Sequence, residues 1–187
     1  MSWHEVVPPR RMARLAIVLA VAGLTVGCFQ PLYSRNPTPG AENVQDKFAR
    51  IDIPPFKTTK GTPDERIAVA LRNVLQFDLH NGANISSPTY TLRVIASGGQ
   101  FTAELDPTSG RPTTQIETLT ADYQLIEIAT GKVVVKDNAY SHVSYDIPGP
   151  QQRFAGQRAR RDAEDHAVQV LADTIRNRLA SYFVAGT

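Results

Sequence analysis

The spacing of apolar side chains changes several times along this chain, and each change marks an element. Ile67, Ala70, Leu71, Val74, Leu75 and Leu79 recur every three or four residues, which draws one apolar stripe along a helix. Thr62-Pro63-Asp64-Glu65 supplies its start: a hydroxyl at the N-cap, proline at the first helical position, and Glu65 at the reciprocal position of a capping box. Asn81-Gly82 ends it. A second helical run extends from about Gln151 to Phe183, with Ala163, Ala167, Val170, Leu171, Thr174, Ile175 and Tyr182 on its stripe.

Between the helices the period falls to two. Tyr90 to Ile95 starts a strand, Gly98-Gly99 permits a bulge or turn, and Phe101 to Leu105 resumes. Asp106-Pro107-Thr108-Ser109-Gly110 is turn chemistry, and Thr114 to Ile128 with Lys132 to Tyr145 reads as a hairpin closed at Thr130-Gly131. Ahead of the first helix, Phe48 to Phe56 alternates so that Ile51 and Ile53 face a core, and Pro54-Pro55 ends it as an edge-like strand. The order predicts an α+β fold: two helices packed on one face of a mostly antiparallel sheet of about four strands.

The first 46 residues obey another logic. Arg10, Arg11 and Arg14 precede the uncharged run Leu15 to Gly27, which meets Cys28. As a helix that run rises only about 20 Å, short of a bilayer core, so residues 1–27 read as a signal peptide. Leu24-Thr25-Val26-Gly27-Cys28 resembles a bacterial lipobox with threonine where leucine is commonest. The Cys28 thiol is therefore expected to carry lipid, which anchors the chain to a membrane. Met12 offers an alternative start, and the residues after Arg10-Arg11 do not fit a twin-arginine signal. Pro31, Pro37, Pro39 and Gly40 make residues 28–46 a tether, leaving residues 47–187 as a single domain.

Charge and reactive residues narrow the function. Of 20 basic and 18 acidic residues, three arginines and one glutamate precede Cys28, so the remainder carries 17 of each sign. Such a body lacks the pervasive basic surface that nucleic acid demands. The single cysteine excludes an internal disulfide and a thiolate metal site. His166 has Asp162, Glu164 and Asp165 nearby, but adjacent helical residues point about 100° apart, so the group reads as a solvated face. His80 and His142 have no partner histidine at metal-ligand spacing. Neither a Gly-x-Ser-x-Gly elbow nor a phosphate-binding glycine loop occurs, and no cofactor or catalytic residue is expected. Arg153, Arg158, Arg160 and Arg161 oppose the dipole at the start of the last helix, where they meet a partner or are neutralised by the neighbouring acids.

Gly27-Cys28-Phe29-Gln30-Pro31-Leu32-Tyr33-Ser34 resembles the opening of the LptE family of lipopolysaccharide-assembly lipoproteins. The resemblance continues through Ile51-Asp52-Ile53, Leu71 to Leu75, Tyr90 to Val94, Ala121 to Leu125, and Leu171 to Ile175. It implies a non-catalytic outer-membrane lipoprotein, anchored on the periplasmic side, that plugs an LptD-type β-barrel and helps lipopolysaccharide reach the outer leaflet. Phe29 after the cysteine, in place of aspartate, suits outer-membrane sorting. The hairpin tip Asp106 to Thr113 and the polar sheet face are the expected contact surfaces. Arg111, Thr113 and Thr114 are the candidate lipopolysaccharide or barrel contacts, Arg111 as a phosphate fork. An auxiliary lipoprotein of another envelope transport or wall-synthesis complex, and more distantly a periplasmic hydrolase, are the other readings.

Overall fold

The computed structural model describes residues 43–81, 87–149 and 152–185. Within them the chain runs α1 (Val44–Phe48), β1 (Ile51–Asp52), α2 (Pro63–His80), β2 (Tyr90–Leu105), β3 (Pro112–Glu127), β4 (Val133–Asp146) and α3 (Arg153–Ala185). The sheet order β1-β2-β3-β4 repeats the chain order. β1 pairs with β2 in parallel, Ile51 opposite Tyr90, while the β2-β3 and β3-β4 pairs are antiparallel.

The alternation along the strands decides which face is covered. Leu92, Val94 and Ala96 of β2, Leu119, Ala121, Tyr123 and Leu125 of β3, and Val135 and Ala139 of β4 are buried. They meet Ile67, Leu71, Leu75 and Leu79 of α2 and Ala167, Val168, Leu171, Ala172, Ile175 and Leu179 of α3. Both long helices thus lie on one face of a mostly antiparallel four-stranded sheet, the expected α+β architecture. A cluster of aromatic rings closes one end, with Phe183 edge-on to Phe48 at 5.9 Å and to Tyr90 at 5.4 Å. The buried His80 ring donates from Nε2 to the Ile51 carbonyl at 2.8 Å, which ties α2 to β1.

Several local expectations are corrected. The stretch from residue 48 to 56 is not one strand. Phe48 ends a short helix that begins inside the expected tether, and only Ile51–Asp52 pair, because Pro54 and Pro55 cannot donate to a ladder. Thr62 occupies the N-cap of α2, but its hydroxyl donates back to the Thr59 carbonyl (2.7 Å). Glu65 accepts from the Gly61 amide (2.7 Å), so the reciprocal capping box does not form. Gly98-Gly99 makes neither bulge nor turn: the register runs on through Gly98↔Leu119 and Gly99↔Thr118, and the irregularity falls between Thr102 and Leu105. Asn81 ends α2 in the left-handed conformation, φ 49°; Gly82 lies outside the described residues. On α3 the buried phase includes Val168, Ala172 and Leu179, whereas Val170 and Thr174 are exposed.

Candidate functional site

The covered half of the sheet has a limit. Beyond Ala96 every residue of β2 is exposed or half-buried, and among the described side chains α3 buries nothing before Ala163. That distal end carries the hairpin tip. There Asp106 Oδ1 accepts from the Thr108 and Ser109 amides and from the Ser109 hydroxyl at 2.7–2.9 Å, and Gly110 adopts φ 66° to close the turn. The three bonds from Ser109 and Thr108 hold the Asp106 carboxyl below the ordinary carboxylate range. Arg111 stands exposed beside this turn. Thr113 and Thr114 occupy the first rungs of β3 and, being adjacent in a strand, point to opposite faces. The Thr114 hydroxyl donates to Asp146 (3.2 Å), while the buried Thr113 Oγ1 has no hydrogen-bond partner. The tip therefore offers Arg111 together with the open-face Thr114 and turns Thr113 toward the helices. Cys28 lies outside the described residues, as does the side chain of Arg153.

A charged cluster separates the apolar core from this polar end. Glu117 of β3 and Glu164 of α3 are both buried. Glu164 pairs with Arg66 of α2 and, at 3.2 Å, with Arg160; the Arg160 Nε also lies 3.8 Å from Glu117. The Gln100 amide donates to Glu117 (2.9 Å), and the Tyr145 hydroxyl donates to Gln115 (2.7 Å). Glu164 thus faces inward instead of joining a solvated face with His166, which is exposed. Of the arginines at the start of α3, Arg158 and Arg161 are exposed and Arg160 is spent inside this cluster. His142 is exposed and shares a hydrogen bond with Thr118 (2.9 Å). Among the described residues no group of three His, Cys, Asp or Glu side chains could hold a metal ion.

Burial pushes the Glu117 carboxyl above its ordinary range, outweighing the Gln100 hydrogen bond and the charge of Arg160. A raised folded-state value means that ionised Glu117 costs stability at neutral pH, a cost that fades as pH falls and is absent below 4.5. Glu117→Gln keeps an acceptor for Gln100 and removes the charge. Its melting temperature should equal or exceed that of the parent at pH 7, with the two curves converging below pH 4.5; a variant clearly less stable at pH 7 would show that the ion pair outweighs desolvation.

The opposite sheet face carries the even-numbered side chains of β3 and their neighbours. Register places Phe101, Ile116 and Ser144 in one row, then Gly99, Thr118 and His142, Ser97, Thr120 and Tyr140, and Ile95, Asp122 and Asn138. No helix covers this face among the described residues, and Ile95, Phe101 and Tyr140 are 62–67% exposed within it. Near β1 the face deepens into a groove of about 1060 Å³ walled by Pro54, Pro55 and Phe56 and floored by Arg93, Gln124 and Lys136. Sequence reasoning did not single out this groove. Arg93 sits between the apolar Leu92 and Val94, a signal for the open face, but only the register brings it level with Lys136.

Residues 48–179 match the family model described as LptE, lipopolysaccharide-assembly. No curated protein sequence matches the chain. Among solved structures, a lipoprotein of Caulobacter crescentus CB15 is 21% identical, with TM-score 0.58 over 77% of this chain and 97% of that one. Rare lipoprotein B of Shewanella oneidensis is 17% identical, with TM-score 0.52 over 72% and 96%. At these identities the two structures establish the shared fold.

Proposed function

The chain belongs to the LptE family of lipopolysaccharide-assembly proteins, and on that premise we propose that it is a non-catalytic outer-membrane lipoprotein that plugs an LptD-type β-barrel and helps deliver lipopolysaccharide to the outer leaflet. Lipid on Cys28 holds it on the periplasmic side of the membrane. The observation that carries this reading is the uncovered sheet face, whose serine, threonine, asparagine, aspartate and histidine side chains suit the hydrated lumen of a barrel. The dimensions agree. Sixteen residues of β2 and 33 of α3 each span about 50 Å, more than the roughly 25 Å apolar band of an outer-membrane barrel. Phe48, just past the expected tether, lies in the aromatic cluster at one end, and Arg111 lies at the far end. A molecule held by its near end can therefore carry its tip through the thickness of the membrane.

The test is affinity purification of the tagged chain from detergent-extracted membranes of its native cells. A large β-barrel recovered in near-equal amount is expected, and Cys28→Ser should move the protein out of the membrane fraction. Recovery of a transporter or a wall synthase without any barrel would replace this reading with that of an auxiliary lipoprotein.

A further inference from the structure

The groove on the open face contains an arrangement that the barrel reading does not use. Arg93, Gln124 and Lys136 lie directly opposite one another on three adjacent strands, so the α-carbons of the two cations are about 10 Å apart. Both side chains project from the uncovered face and are exposed. Among the described residues neither cation has an ion-pair partner, in contrast to Arg66, Arg160 and Arg178. Lys57 also lines the groove. Of the acids lining the groove, Asp137 is committed to Arg178 on the helix side (3.1 Å), while Asp52 and Asp122 flank the cationic row.

Two long cations about 10 Å apart at their bases can converge on one tetrahedral anion, Arg93 as a fork and Lys136 as a point charge. The groups beside them are of another kind. Gln124 and Asn138 offer amides, Asp122 accepts from hydroxyls, and Phe56 with Pro54 and Pro55 forms an apolar wall. A bare fatty chain would strand these polar groups without partners, whereas a phosphate that carries hydroxylated carbons satisfies both sets. We propose that this groove binds the phosphate ester of a sugar or polyol, with the phosphate between Arg93 and Lys136 and the hydroxyl groups on Asp122 and the amides. The site is separate from the Arg111 tip and lies toward the other end of the same sheet.

The full chain in neutral detergent micelles, followed by amide NMR, tests this with two probes: glucose 1-phosphate in solution, and micelles doped with phosphatidylglycerol, whose headgroup is a glycerol phosphate. Saturable shifts confined to residues 91–95, 122–124 and 136–138 are expected. Combining Arg93→Gln with Lys136→Gln should weaken binding by about tenfold or more, the loss of charge-assisted contacts. Lys60→Gln, an exposed cation off the groove, should leave it unchanged. Shifts produced by the doped micelles and reversed by glucose 1-phosphate identify a lipid headgroup as the source; shifts from glucose 1-phosphate alone identify a soluble ester. The proposal is overturned if neither probe gives saturable groove shifts, if the shifts gather at Arg111 or the start of α3, or if the double variant binds undiminished. The barrel reading is tested by co-purification and stands or falls apart from this result.

Discussion

Replacing Leu171 with alanine should destabilise the protein by about 3 kcal/mol, a loss typical of a deleted core leucine, while Val170→Ala one position earlier should stay within about 0.5 kcal/mol. Leu171 is 0% exposed in the layer between α3 and the sheet, whereas Val170 is 38% exposed on the outer side of the same helix. For a domain of this size the first change corresponds to a fall of roughly 10 °C in the thermal midpoint. Circular dichroism on the detergent-solubilised protein measures both. Equal losses at the two positions would mean that α3 is rotated from the phase described.

A larger side chain at Gly98 should be costly in the opposite way. A Cβ built there would lie 2.6 Å from Ile67 Cδ1 and 2.9 Å from Leu119 Cδ2, closer than real contacts allow, and valine adds two further carbons. Both contacts are ends of flexible side chains, so they can yield, and valine gains strand propensity; a net loss of about 2 kcal/mol is expected from overpacking. The strain also falls on the bond from the Gly98 amide to Asp64 (3.0 Å), which fastens the start of α2 to the outer edge of β2. Gly99→Val makes the control. There the nearest atom is Phe101 Cε2 at 4.0 Å, so the substitution should be neutral or stabilising. Indistinguishable denaturation curves for the two variants would contradict the close packing of α2 on β2.

Gly98 also shows where sequence reasoning stopped. A paired glycine in a strand reads as a local break, yet here one glycine is small because a helix crosses above it, a cause 31 residues away at Ile67. The elements whose causes are local were legible: Pro63 after an N-cap, the turn at Asp106, Gly131 with φ 67° closing the β3-β4 hairpin, and the stripe on α2. Errors gathered where packing overrides pattern. Val170 and Thr174 fit a helical period, but the buried face lies about one residue further round, and Glu164 enters the interior because Arg66 and Arg160 meet it there. Phe48 shares the phase of Arg50 and Asp52 in the alternation, yet it packs as the end of α1 against Phe183. The tip residues Arg111, Thr113 and Thr114 could be placed near a turn from sequence, but not assigned to faces. Arg93 and Lys136 are 43 residues apart and become one site only through the registers of two strand pairs.

The sheet order, which repeats the chain order, bears on how the molecule reaches this state. From β2 onward each strand pairs with the next across a tight turn, so the meander can zip from either hairpin with little loop entropy to overcome. The contact that spans the domain, Phe183 against Phe48, comes from its last helix and its first. Until the end of the chain arrives, the apolar face of the meander lacks half its cover. Acquisition of the native state should therefore be fast in the strands and slow in the docking of α3.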